Sequence, residues 1–135
     1  NSRLSEIQAA ILNIKIKFLN TFIKRRKKIS EMYNNGITNS KIIKPFENKN
    51  NEHVYHLYVV ASKNRDSILK IMKKNKIELG IQYPYPIHKM LAYKDSTYTK
   101  LKNTENFSKQ IFSLPIYPTL EKVKIKKIIK IINKI

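Results

Sequence analysis

An apolar side chain returns every three or four positions at the start of the chain: Leu4, Ile7, Ile11, Ile14, Phe18 and Phe22. At 3.6 residues per turn these side chains share one face, so the spacing predicts one long helix running to about Tyr33. The cluster Lys24-Arg25-Arg26-Lys27-Lys28 falls in its C-terminal half, where cations suit the helix dipole, and reads as a solvated face; Asn34-Asn35-Gly36 supplies the stop. An apolar stripe of this kind favours association when exposed, so it is expected to be covered by another domain or subunit.

The rest of the chain alternates short extended and helical signals. Lys41–Lys44 ends at Pro45, and Val54-Tyr55-His56-Leu57-Tyr58-Val59-Val60, dense in aromatic and β-branched residues, reads as the best strand. Asn64-Arg65-Asp66 opens a second helix with Ile68, Leu69, Ile71 and Met72 on its apolar face, ended by Asn75. Ile77–Tyr83 reads as a further strand, stopped by Pro84 and Pro86, which leave Tyr83-Pro84-Tyr85-Pro86-Ile87-His88 stiff and irregular. A short helix over Asn106–Ile111, a strand within Phe112–Pro118 and a C-terminal helix from Thr119, with Leu120, Val123, Ile128, Ile131, Ile132 and Ile135 in helical period, complete the order. The pattern implies an α+β fold with a small antiparallel or mixed sheet.

Composition narrows the functions. Lysine and arginine number 28 against 9 acids, a formal +19, which alone suggests a polyanion partner. The lysines are spread over the whole chain, however, together with abundant Ile and Asn and scarce Ala and Gly, which is the skew an AT-rich genome produces. That spread argues against a nucleic-acid interface, where cations gather on one element with aromatics interleaved. Cysteine is absent, which removes disulfides, thiolate metal sites and cysteine nucleophiles and fits a cytoplasmic location. Lysine interrupts every isoleucine-rich run, so no stretch reads as a membrane span. The only glycines, Gly36 and Gly80, rule out a glycine-rich phosphate loop. His53 and His56 fall in the predicted strand on opposite faces, which argues against a shared metal.

Two local features could carry chemistry. His88 stands on a proline-stiffened loop behind Tyr83 and Tyr85, and an imidazole there suits hydrogen bonding to a phosphate or sugar hydroxyl. Asn1-Ser2-Arg3 brings amide, hydroxyl and guanidinium groups to the start of the first helix, an arrangement that receives phosphate or simply caps the helix.

Several segments together resemble a known family. Asn1-Ser2-Arg3-Leu4-Ser5-Glu6-Ile7-Gln8-Ala9-Ala10-Ile11-Leu12 is similar to the N-S-R-L-x-E-x-Q-A-A-x-L segment of the DegT/DnrJ/EryC1/StrS nucleotide-sugar aminotransferases. In the same order follow Arg25-Arg26 with Tyr33, His53-Val54-Tyr55-His56-Leu57-Tyr58, Arg65-Asp66, Tyr83-Pro84-Tyr85-Pro86-Ile87-His88 with Ala92-Tyr93, and Ser113-Leu114-Pro115-Ile116-Tyr117-Pro118. The resemblance implies the C-terminal part of a fold-type I enzyme dependent on pyridoxal 5'-phosphate (PLP). Residues 1–34 would be a long helix linking to a large cofactor domain, and residues 35–135 a small C-terminal α+β domain with helices packed on one side of its sheet.

The same resemblance implies the chemistry. Such enzymes move an amino group, usually from glutamate, to a keto-sugar carried on a nucleotide, in surface polysaccharide or antibiotic sugar biosynthesis. Their active sites lie at a homodimer interface. Asn1 and Arg3 would approach the cofactor phosphate of the neighbouring subunit, and His88 with Tyr83 and Tyr85 would border the sugar-nucleotide. The Schiff-base lysine is expected upstream of Asn1, so this chain alone would not transaminate. Alternatives are a PLP- or PMP-dependent sugar dehydratase of the same family, a non-catalytic dimer partner, and a basic nucleic-acid-binding module.

Overall fold

The computed structural model describes residues 3–93, 98 and 100–135, and every structural statement concerns these. The apolar stripe does become helix, in two pieces. Helix α1 (Glu6–Lys15) meets α2 (Leu19–Gly36) through a 3-10 turn at Ile16–Phe18. The single helix expected over Leu4–Tyr33 is therefore tightened midway and runs on to Gly36. The tightening falls at Ile14, Ile16 and Phe18, residue types that lose side-chain freedom in a helix. Ser5 starts α1 with a capping box: its hydroxyl accepts from the Gln8 N–H (3.2 Å) and the Gln8 side chain accepts from the Ser5 N–H (3.5 Å).

The remaining elements are β1 (Tyr58–Ala61), α3 (Arg65–Lys74), 3-10 turns at Ile87–Lys89 and Leu91–Tyr93, α4 (Lys102–Ser108), β2 (Ile111–Leu114) and α5 (Lys122–Ile132). Strands β1 and β2 pair antiparallel with Tyr58 opposite Leu114 and Val60 opposite Phe112. Single bridges extend this ribbon on both edges, Ile43 to Ala61 and Gly80 to Ser113.

Both strands are shorter than their sequence signals. Over Val54–Leu57 the chain turns: Tyr55 has a φ of 51°, its N–H donates to His53 Nδ1 (2.8 Å), and its carbonyl and that of His56 accept from Arg26 (3.1 and 2.9 Å). Carbonyls bound to a guanidinium have no need of a neighbouring strand, so the extended path starts only at Tyr58. Arg26 therefore does not belong to the solvated face read from its cluster. Pro115, which has no N–H to offer, ends β2 before Pro118. The strand expected over Ile77–Tyr83 reduces to Gly80, because the next polar side chain, Gln82, turns to accept the Ser113 hydroxyl (2.8 Å).

Side chains alternate across a strand, so Tyr58, Val60, Phe112 and Leu114 point to one face. All four are buried in one cluster with Ile29 and Tyr33 of α2, Ile68 and Met72 of α3, and Ile125, Ile128 and Ile132 of α5. Helices α2, α3 and α5 thus pack on one side of the ribbon, an α+β arrangement. Tyr33 is fully buried, its ring 5.0 Å from that of Tyr58. Its hydroxyl donates to the Pro115 carbonyl (2.8 Å), and that of Tyr58 to Asn34 Oδ1 (2.5 Å). Burial pushes both phenols well above the ordinary tyrosine range. In contrast, no residue of α1 is buried; Ile7 and Ile14 are 75% and 62% exposed. Among the described residues no helix is long and apolar enough to cross a membrane.

Candidate functional site

The proline-stiffened segment forms the surface of the sheet's far edge. Pro86, with φ −60° and ψ 141°, leads into the Ile87–Lys89 turn, which is closed by the Lys89 N–H donating to the Pro86 carbonyl (2.9 Å). A second turn follows, with the Tyr93 N–H on the Met90 carbonyl (2.9 Å). Proline fixes its own φ and restricts its predecessor, so Tyr83 and Tyr85 are held outward at 73% and 68% exposure. Both line a cleft of about 480 Å³ with Pro86, Ile87, Met90, Thr104, Phe107, Ser108 and Ile111. Its walls are apolar and aromatic, with the Thr104 and Ser108 hydroxyls among the few polar groups. This is the composition of a small-molecule pocket.

His88 stands beside this cleft and turns inward. Its Nε2 lies 3.4 Å from Glu105 Oε1, and the Lys89 ammonium donates to Glu105 Oε2 at 2.7 Å. The His88 side chain is 10% exposed and that of Glu105 17%. The His88 ring also lies 4.8 Å from the Tyr98 ring, at an interplanar angle of 59°. Lys89 above all, and His88 with it, hold the Glu105 carboxyl below the usual carboxylate range. The carboxylate comes from α4 and its two partners from the loop, so this contact fixes the loop to the body of the fold.

Tyr83, Tyr85 and His88, read from sequence as one site, lie on one loop: the two tyrosines share the cleft, while His88 faces Glu105. Arg3 is exposed in the residues preceding α1 and is not among the residues lining the cleft. Asn1 lies outside the described residues. Glu105 was not singled out from sequence, although an acid in a chain with so few, just ahead of the Phe107-Ser108 signal, was a usable hint. Arg26, named from sequence in its cationic cluster and in the family resemblance, also donates from Nη1 to the Ile116 carbonyl (2.7 Å).

A PLP site needs a desolvated lysine to form the Schiff base. Among the described residues every lysine is exposed except Lys27, which is half-buried and ion-paired with Glu52. Among the described residues Arg3 is exposed, and no lysine is prepared for imine chemistry, so these residues do not by themselves hold the cofactor.

Comparison with known proteins places the chain in a family. A family model described as the DegT/DnrJ/EryC1/StrS aminotransferase family matches residues 1–133. The chain is 34% identical over 134 residues to dTDP-3-amino-3,6-dideoxy-alpha-D-galactopyranose transaminase of Aneurinibacillus thermoaerophilus, covering 99% of this chain and 37% of that protein. Among solved structures, S. venezuelae DesV superposes with a TM-score of 0.94 at 31% identity, over 99% of this chain and 37% of DesV. The PLP form of Spr1654 from Streptococcus pneumoniae shares the fold, with a TM-score of 0.85 at 21% identity over 98% of this chain and 36% of that one. The chain thus spans little more than a third of the length of the relatives it matches. It belongs to the DegT/DnrJ/EryC1/StrS aminotransferase family.

Proposed function

We propose that this chain forms the linking helix (residues 1–34) and small domain (residues 35–135) of a PLP-dependent aminotransferase. Its substrates would be glutamate as amino donor and a keto-sugar carried on a nucleotide, and its site would be completed across a homodimer in the cytoplasm. The observation that carries this reading is the rigid Tyr83–His88 loop, anchored by Glu105 beside an apolar cleft, in a chain whose family model covers residues 1–133.

The residues divide the work by their chemistry. The cleft walls formed by Tyr83 and Tyr85 give the sugar-nucleotide flat apolar surfaces and exclude water. His88 offers a ring nitrogen for hydrogen bonding to a phosphate or hydroxyl of the same ligand. Arg3 and Asn1 would offer a guanidinium and an amide to the phosphate of PLP in the partner subunit. When bound, PLP supplies the electron sink for amino transfer. The lysine that works with it belongs to the part of the relatives that this chain does not span, so the 135 residues alone are inactive.

The test is a transamination assay with glutamate, a nucleotide-linked keto-sugar and PLP. The complete polypeptide containing these residues should transfer the amino group, and the 135-residue chain should not. In the complete enzyme, His88→Ala should raise KM for the keto-sugar about tenfold, the worth of a hydrogen bond to a charged group. Turnover by the 135 residues alone, or sugar kinetics indifferent to both His88→Ala and Tyr83→Ala, would contradict the proposal.

A further inference from the structure

We infer that Glu105 is the positioning residue of the sugar-binding loop, acting on substrate only through His88. The inference rests on the reading of His88 given above. Two carboxylate oxygens serve two adjacent loop residues: Oε1 faces His88 Nε2 at 3.4 Å and Oε2 accepts from Lys89 at 2.7 Å. A bidentate hold of this kind fixes the turn in rotation as well as in distance, which one contact could not do. With Nε2 committed to Glu105, only Nδ1 of His88 is left for a ligand.

The support behind Glu105 is itself built. Glu105 sits on α4 one turn before Ser108, whose hydroxyl donates to the Glu105 carbonyl (3.0 Å), while the Ser108 carbonyl accepts from Arg65 (2.7 Å). Arg65 opens α3, so the loop, α4 and α3 form one connected frame. The Tyr98 ring, 4.8 Å from the imidazole, packs against the ring held by this contact. The frame supports the loop assigned above to the sugar, so its removal should act on the sugar alone.

The experiment uses the complete enzyme for kinetics and the 135-residue chain for spectroscopy. Glu105→Ala should raise KM for the nucleotide-linked keto-sugar about tenfold, since a charge-assisted contact orders the ligand-facing ring. Amino transfer from glutamate to the cofactor, measured alone by the change in cofactor absorbance, should not change. In a His88→Ala background, Glu105→Ala should add no further loss. In the chain, the nuclear Overhauser contact between the His88 and Tyr98 rings should vanish in Glu105→Ala and persist in Glu105→Gln. The glutamine variant keeps an acceptor and guards against a misfolded alanine variant. A Glu105→Ala loss that adds to that of His88→Ala, falls equally on the glutamate step, or is absent while His88→Ala is costly, overturns the inference alone. A silent His88→Ala overturns the reading of His88 itself, and the two failures are thereby separated.

Discussion

Replacing Arg26 by methionine should cost far more stability than a residue in a run of five cations suggests. Its Nη1 donates to the carbonyls of Tyr55 (3.1 Å), His56 (2.9 Å) and Ile116 (2.7 Å), tying α2 to the turn before β1 and to the segment after β2. A hydrogen bond to a charged group is worth about 1.5–3 kcal/mol, but here one nitrogen is shared by three acceptors and the His56 contact is exposed. The expected loss is therefore about 2–4 kcal/mol, most of it from the part-buried Tyr55 and Ile116 carbonyls left without a donor. Unfolding entropy of about 2.1 cal/mol/K per residue makes that a fall of roughly 7–14 °C in Tm. Methionine keeps the apolar stem, so the change reports on the guanidinium rather than on packing. Removing one of 28 cations also relieves repulsion, a long-range effect that salt screens. The assay is urea unfolding of wild type and Arg26→Met at low and high salt. A loss below about 0.5 kcal/mol, or one that disappears in high salt, would refute the argument, because contacts at 2.7–3.1 Å are not screened as distant charges are.

Three further outcomes follow from the same contacts. Tyr33→Phe, which leaves the part-buried Pro115 carbonyl without its 2.8 Å donor, should lose about 1–2 kcal/mol in denaturant unfolding with the fold unchanged. Gly80→Ala should loosen the Tyr83–His88 loop: a Cβ there would come within 2.5 Å of the Gln82 side-chain nitrogen, displacing the group that accepts from Ser113. Faster amide exchange over residues 80–88 is the expected reading. Glu47 and Glu105 both titrate below the ordinary value of 4.5, Glu47 mainly through the His53 N–H and the Tyr55 hydroxyl, and Glu105 mainly through Lys89. Their folded-state pKa values are depressed, so their contribution is present above about pH 4.5 and is lost as pH falls below it. Acid titration of Glu47→Gln should show a flatter decline in stability over that window.

Helical period carried most of what was legible in the sequence. The stripe from Ile7 to Phe22, the Ile68–Met72 face and the C-terminal set of Val123, Ile128, Ile131 and Ile132 all fell in helical turns, because that spacing is the helix's own period; Leu4, Leu120 and Ile135 lie just outside. The strands were legible only in part. Tyr55 and His56 have the composition of strand residues, yet their carbonyls are taken by a side chain 30 positions or so earlier, a tertiary contact that no local pattern announces. Gly80 and Ile43 likewise pair at single positions, too short for alternation to reveal. At the site, prolines made the Tyr83–His88 loop readable, whereas Glu105 meets Lys89 from 16 positions away, a tertiary contact that no local pattern announces.

The excess of cations hid the informative residues rather than marking them. With 28 Lys and Arg against 9 acids, almost any acid can find a cation, so an ion pair by itself says little here. Arg65–Asp66 and Lys124–Glu121 join near neighbours, and their acids are 78% and 66% exposed, the class of pair worth little in stability. Glu47 and Glu105 differ in kind, since each takes two donors and each fastens a segment without regular structure. Glu47 accepts from the His53 N–H (2.8 Å) and the Tyr55 hydroxyl (2.9 Å), shaping the turn that delivers its carbonyls to Arg26. Glu105 does the same for the loop of His88 and Lys89. In so basic a chain, the scarce carboxylates with more than one donor are what hold the irregular segments in place, and the segment held by Glu105 is the one that forms the cleft.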